Sequence, residues 1–90
     1  MTLDDGAYSA VADEQLDALE AASDPAPYNA VLDICELILS YPGEAQSRST
    51  AISTLDGIRF RLAVPGHHPL KVFWSIRDDG PRVEAVFPHP

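Results

Sequence analysis

The residues best suited to chemistry are five cationic or titratable side chains in the second half of the chain. RNA cleavage by attack of a 2′-hydroxyl needs cations that stabilise the phosphorane and groups that accept and donate protons. Arginines on a rigid sheet can supply the charge, and an imidazole, which titrates near neutral pH, can supply the proton transfer. Alternatively, the cations only keep a sheet face soluble and neutralise acidic helices. The five residues are Arg59, Arg61, Lys71, Arg77 and His89.

These side chains lie in segments that alternate between apolar and polar residues, which is the pattern of half-buried strands. The first strand, 58–64, carries Arg59 and Arg61 on its polar face. The second, 70–77, carries Lys71 and Arg77, and we expect it to place all four cations on one sheet face. In the third, 83–87, the alternation groups Val83, Ala85 and Phe87 on the opposite face from Arg82, Glu84 and Val86. Turns at 65–69 and 78–81 make the three strands an antiparallel meander.

The first half of the chain predicts a helical hairpin that covers this sheet. Ala7–Val11 is expected to be a short strand, and a helix capped by Asp13 follows to Ser23. Asp24-Pro25 begins a second helix that ends at Ser40, before Pro42-Gly43. The segment 44–56, rich in Ser and Thr, is expected to be a loop. The apolar face of the second helix should comprise Tyr28, Val31, Leu32, Cys35, Ile38 and Leu39.

Residues 1–90 therefore predict a single α+β domain of order β-α-α-β-β-β. The helical hairpin packs on one face of a small twisted antiparallel sheet. Ninety residues leave no room for a second core.

The charge is divided unequally between the two halves of the sequence. All six Lys and Arg lie between Arg48 and Arg82, and the formal net charge is −8. An anion-binding surface must therefore come from the second half, and nonspecific binding to nucleic acid or anionic membranes is disfavoured. The acidic stripe on the first helix is either a solvated face, a docking surface for a basic partner, or a mimic of nucleic acid. It comprises Asp13, Glu14, Asp17 and Glu20.

Several other residues invite functional readings. Phe73 falls on the cationic face, where it could stack on a base, pack under a partner's helix, or extend the core at the sheet edge. Trp74 is expected in the core. The turn pair His67-His68 lacks further ligands at metal-binding spacing, and Cys35 reads as a buried thiol. We predict no metal site and no cofactor.

The order of elements and the motifs of the second half resemble the RelE/ParE superfamily of bacterial toxins. The motifs are Gly57-Ile-Arg-Phe-Arg-Leu-Ala-Val, Leu70-Lys-Val-Phe-Trp-Ser-Ile and Val83-Glu-Ala-Val-Phe-Pro-His89, with Leu39-Ser-Tyr-Pro42 closing the second helix. The resemblance runs from Tyr8 to His89. It implies a type II toxin neutralised by a cognate antitoxin on the open sheet face.

Two activities follow from the resemblance. A RelE-like mRNA interferase acting on the ribosome would use Arg59, Arg61 and Lys71 to hold phosphate, with Arg61 stabilising charge and His89 transferring a proton. A ParE-like inhibitor of DNA gyrase would have only a binding surface. The alternative from another class is a non-catalytic interaction module that keeps the fold, which fits the acidic net charge.

The sequence shows no secretion signal and no segment that would span a bilayer. We expect a cytoplasmic protein without membrane association. A homodimer through the open face is also expected, because a second copy would bury the exposed apolar patch that contains Phe73 and Val86.

Overall fold

Three helices and four strands make up the computed structural model, which describes residues 6–90. The sheet has the order β1-β2-β3-β4 with antiparallel neighbours. The helices pack on one of its faces, which confirms the α+β class. The elements are α1 (Ala10–Ala21), α2 (Ala26–Ser40), α3 (Pro42–Ser47), β1 (Thr50–Thr54), β2 (Gly57–Ala63), β3 (Leu70–Arg77) and β4 (Gly80–Pro88).

The predicted first strand, Ala7–Val11, is wrong. Only Tyr8 forms a bridge, parallel to Val83, and the helix already begins at Ala10. The reason is local capping, because the Ser9 hydroxyl accepts a hydrogen bond from the Ala12 N–H at 3.0 Å. Ser9, and not Asp13, is therefore the N-cap of α1.

The predicted loop at 44–56 is also wrong, because it contains α3 and β1. Pro42 does follow the end of α2, but it also occupies the first helical position of α3, where its missing N–H has no consequence. Arg48 and Glu44 form an ion pair at 2.8 Å across this short helix. β1 then pairs with β2 through the two-residue turn Leu55-Asp56.

The core lies between the helices and the sheet. Trp74 is fully buried there, as predicted. Its ring contacts Phe60, with 4.8 Å between centroids, and its indole N–H donates to the Ser49 hydroxyl at 3.1 Å. Other large side chains that are fully buried are Val31, Ile38, Val72 and Val83.

The inward face of α2 differs from the prediction at two positions. Leu32 is exposed and Ile34 is buried. Together with Val31, Cys35 and Ile38, Ile34 forms the three- and four-residue spacing that faces the sheet. Leu32 lies outside that stripe.

A β-bulge in β4 changes which side chains face the core. Phe73 lies opposite Ala85 while Trp74 lies opposite Val83, so Glu84 is an extra residue. Val83 and Val86 are therefore both buried in the core. The strict alternation predicted for this strand is wrong from Glu84 onward.

Tyr8 and Cys35 form a buried polar contact between the N-terminal segment and α2. Burial raises the pKa of the Tyr8 hydroxyl to about 12, and the neighbouring Cys35 adds to the shift. Burial raises the pKa of the Cys35 thiol to about 11, against a smaller opposing effect of its hydrogen bond with Tyr8. The predicted buried thiol is confirmed.

Replacement of Trp74 by alanine should lower the free energy of unfolding by about 3–5 kcal/mol, because it leaves a large cavity and removes the bond to Ser49. Leu55→Ala is the control, since Leu55 is fully exposed and should change stability by no more than about 0.5 kcal/mol. Urea unfolding measures both. Equal effects of the two substitutions would contradict the assigned core.

Stability should fall as pH rises above about 9. The unfolded chain ionises its thiol and phenol near 9.0 and 10.0, whereas the folded chain holds both protons to about 11 and 12. The unfolded state thus binds fewer protons in this window, and stability decreases with pH. Urea unfolding at pH 7, 9 and 10.5 tests this, and the double variant Tyr8→Phe/Cys35→Ala should show a flatter profile. An unchanged slope in that variant would contradict the explanation.

Candidate anion-binding site on the open sheet face

The sheet face opposite the helices carries the predicted site residues. We call it the open face. The pairing of β2 with β3 places Arg61 opposite Phe73 and Ala63 opposite Lys71. Because side chains alternate along a strand, the open face also receives Arg59 and Arg77.

Arg61 and His89 are in direct contact on this face. The Arg61 Nη1 atom lies 3.0 Å from the His89 Nδ1 atom. A guanidinium has donors and no acceptor, so Arg61 donates and Nδ1 accepts. The neutral imidazole must then carry its hydrogen on Nε2. The pair therefore offers N–H donors to any third group that approaches it.

The position of His89 is set by the β2–β3 turn and by two phenylalanines. Its backbone N–H donates to the Pro69 carbonyl at 2.9 Å. Its ring meets the rings of Phe73 and Phe87 edge-on, with centroid distances of 5.5 and 6.2 Å. The two phenylalanine rings stack on each other at 4.7 Å. His89 is held from both its backbone and its side chain.

Phe73 has little ring surface left for a base or a partner. It is 9% exposed, because Phe87 and His89 lie against it. Phe87 is the exposed ring of the cluster, and sequence reasoning placed it on the wrong face because the bulge at Glu84 breaks the alternation. Alternation alone gives no signal of that bulge.

Lys71 is nearly buried, although it was expected to hold phosphate. It is 9% exposed, and its Nζ donates to the Pro69 carbonyl at 3.2 Å. That carbonyl also accepts the His89 backbone N–H. Lys71 thus supports the turn on which His89 rests, and its ammonium has little contact with solvent.

The remaining cations differ in how far they are neutralised. Arg77 lies 3.5 Å from Glu84, whose carboxylate also accepts the Ser75 hydroxyl at 2.6 Å. Within residues 6–90, Arg59 and Arg61 form no ion pair with an Asp or Glu side chain, and the Arg61 Nη1 atom lies 3.5 Å from the Pro90 oxygen. The net positive part of the open face is therefore Arg59, Arg61 and the adjoining His89.

A depression of about 760 Å³ occupies the other end of the open face. Sequence reasoning missed Arg82, which lines it beside Arg59 and Arg77. Four carboxylates outnumber the three arginines, so the depression is not an anion site. These are Asp56, Asp78, Asp79 and Glu84.

The other candidate groups lie away from this face or remain separate from one another. The acidic stripe of α1 is exposed on the helical layer. Over residues 6–90, no three His, Cys, Asp or Glu side chains come together as metal ligands, and His67-His68 lies in the β2–β3 turn. None of the helices in that range is long and apolar enough to cross a bilayer.

Comparison with known proteins gives no assignment. The chain matches no family model, and no curated protein or solved structure is significantly similar to it.

The Arg61 contact should fix the tautomer of His89. At a pH where the rings are neutral, we expect long-range ¹H–¹⁵N spectra to show only the Nε2–H form for His89, and a tautomer mixture for the exposed His68. Arg61→Ala should return His89 to a mixture. An Nδ1–H form, or a mixture equal to that of His68 in the unsubstituted chain, would contradict the contact.

Proposed function

We propose that this chain is a RelE/ParE-like toxin of a bacterial toxin–antitoxin pair and that it cleaves RNA on its open face. The observation that carries the proposal is the contact of Arg61 with His89, two residues along β2 from the unpaired Arg59. In sequence these residues are far apart, yet the fold brings them to one solvent-accessible site. The likeness of the motifs to the superfamily supports the same function.

The chemistry is an attack of the ribose 2′-oxygen on the adjacent phosphorus. The O2′–P bond forms and the P–O5′ bond breaks, which leaves a 2′,3′-cyclic phosphate and a 5′-hydroxyl. Arg59 and Arg61 donate to the non-bridging oxygens, whose charge increases in the transition state. With Nδ1 occupied by Arg61, His89 presents its Nε2–H to the departing 5′-oxygen. The 2′-hydroxyl proton passes to water, and water supplies the proton taken up by the 5′-oxygen.

His89 has a second role if it leaves Arg61 when substrate binds. A freed imidazole can accept or donate a proton in the transition state. Glutamine can fill only one of these two roles, because its amide N–H can donate a hydrogen bond from the position of Nε2 but cannot transfer a proton. The His89→Gln variant therefore distinguishes a fixed donor from a proton-transfer group.

The proposed partners follow from the position of the site. A cognate antitoxin would cover the open face and block Arg59 and Arg61 together, and the substrate would be mRNA on the ribosome in the cytoplasm. A ParE-like gyrase inhibitor would use the same face for binding alone. Growth arrest without RNA cleavage would identify that activity.

A non-catalytic interaction module is the second candidate. The observation that favours it is that several side chains of the open face already have partners within the chain. Phe73 is buried, Lys71 donates to the Pro69 carbonyl, and Arg77 forms an ion pair with Glu84. Such a face binds a protein through shape and a few polar contacts. If the chain is such a module, replacing Arg59 and Arg61 by alanine should leave its affinity for RNA unchanged.

Induced expression of the native chain in a bacterial host should arrest growth. The Arg59→Ala/Arg61→Ala variant should not arrest growth when the same amount of soluble protein is produced. The purified chain should convert RNA to fragments with 2′,3′-cyclic phosphate ends, with a loss of about 10²-fold or more in Arg61→Ala. His89→Ala should be similarly impaired, and His89→Gln should retain most activity if the ring is a fixed donor.

Arg77→Ala is the matched control for these variants. Arg77 lies on the same face but is neutralised by Glu84, so its removal should leave RNA cleavage within about threefold. Normal growth with abundant soluble protein, together with intact RNA in vitro, would overturn the toxin proposal. Equal losses in Arg77→Ala and Arg61→Ala would overturn the assigned site.

A further inference from the structure

A second depression lies along β4, where the beginning of α1 meets the open face. Its volume is about 370 Å³, which is within the range of small-molecule sites. We call it the side pocket. Phe87, Val11 and Ala85 give it an apolar lining, to which Arg59 and Glu84 add one charge of each sign. The side pocket therefore combines an aromatic ring, a guanidinium and a carboxylate at one place.

Phe87 supplies the side pocket with a ring that can stack on a flat ligand. One face of this ring stacks on Phe73, with 4.7 Å between centroids and 12° between planes. His89 meets the ring edge-on and leaves its second face open. Phe87 is accordingly 38% exposed, whereas Phe73 is 9% exposed. A flat ligand ring can therefore continue the stack beyond Phe87, and bases stack in this way on aromatic side chains.

Glu84 supplies the side pocket with a fixed hydrogen-bond acceptor. Its Oε2 atom accepts the Ser75 hydroxyl at 2.6 Å and lies 3.5 Å from Arg77 Nη1. Its Oε1 atom accepts no hydrogen bond from any residue in the range 6–90. The Glu84 side chain is only 12% exposed, so its neighbours limit its movement. An ionised carboxylate oxygen is an acceptor only, and it favours N–H groups over carbonyl oxygens.

Arg59 connects the side pocket to the proposed phosphate site. It lines the pocket and forms no ion pair with an Asp or Glu side chain of residues 6–90. Arg61, two residues along β2, lies on the same face and donates to His89. Guanidinium groups are well suited to bind phosphate. The ligand that fits both places has a flat ring next to an anion, which is the composition of a nucleotide.

We propose that the side pocket holds the base of the nucleotide whose 3′-phosphate lies on Arg59 and Arg61, and that Glu84 makes it prefer cytosine to uracil. The base stacks on the open face of Phe87. Cytosine donates its N4 amino group to the Glu84 Oε1 atom, whereas uracil has the O4 carbonyl oxygen in that position, which the carboxylate repels. This inference rests on the proposed function, because RNA supplies the ligand. Glu84 is then a specificity-determining residue.

Titration of the purified chain with cytidine 3′-monophosphate, uridine 3′-monophosphate and inorganic phosphate tests the side pocket without any cleavage step. Backbone ¹H–¹⁵N spectra at low salt give the affinity and the position of binding. The cytidine nucleotide should bind about tenfold more tightly than the uridine nucleotide, and both should bind more tightly than phosphate. The signals of Ala85 and Phe87 should shift with the nucleotides and stay in place with phosphate.

Two substitutions separate the parts of the pocket. Glu84→Gln should abolish or reverse the preference for cytidine, because the glutamine amide can donate to the uracil O4 atom while its carbonyl accepts the Ser75 hydroxyl. Phe87→Leu should weaken both nucleotides about tenfold through the lost stacking and leave phosphate binding unchanged. Ile76→Ala is the control, since Ile76 is exposed and lines the other depression, and it should change no affinity. Thermal melts show that each variant folds.

The outcomes distinguish the side pocket from the ribonuclease activity. Preferential binding of the cytidine nucleotide by a chain that leaves RNA intact would support the pocket and overturn the proposed cleavage. Equal affinities for the two nucleotides in the native chain, or affinities no greater than that for phosphate, would overturn the pocket even if RNA is cleaved. A preference for cytidine that persists in Glu84→Gln would overturn the role of Glu84.

Discussion

The alternation of side chains along β3 is the constraint on which both the core and the candidate site depend. Val72 and Trp74 point to the helices and are fully buried, while Lys71 and Phe73 point to the open face. A shift of one residue in the pairing would exchange the two sets. Burial of Trp74 therefore fixes the face on which Phe73 lies, and the rings of Phe87 and His89 pack against Phe73.

The bulge in β4 is what completes the open face. If β4 alternated strictly through Glu84 instead of forming a bulge there, Phe87 would lie on the same face as Val83, in the helix layer, and could not stack on Phe73. With it, Val86 takes the core position instead, and the chain after β4 crosses toward the Pro69 turn, where His89 bonds. One inserted residue thus contributes to the core and to the ring cluster together. This fits the tendency of bulges to redirect side chains near functional sites.

The sequence predicted the three-stranded meander, the helical hairpin and the shared face of Arg59, Arg61, Lys71 and Arg77, because period and turn residues are local signals. It did not predict β1, whose short, polar-flanked strand resembles a loop, or the start of α1, where one serine bond outweighs alternation. The proximity of His89 to Arg61 was beyond local reasoning, since it depends on the bulge and on the Pro69 carbonyl. The reduced exposure of Phe73 and Lys71 has the same origin. Tertiary contacts, and not propensity, decide which residues of a predicted face remain available.

The charge distribution explains how an acidic molecule can keep a local anion site. Electrostatic interactions across solvent decay over about 8 Å at physiological ionic strength, and a helix layer is about 10 Å thick. The acids of α1 lie on that layer, whereas Arg59 and Arg61 lie on the other face of the sheet and form no ion pair with an Asp or Glu side chain in the described part of the chain. A phosphate in contact with the guanidiniums therefore experiences mainly their charge. The acidic half acts at longer range, where it slows the approach of polyanions that do not dock on the open face. The four carboxylates that line the depression beside Arg59 add to this repulsion from the open face itself.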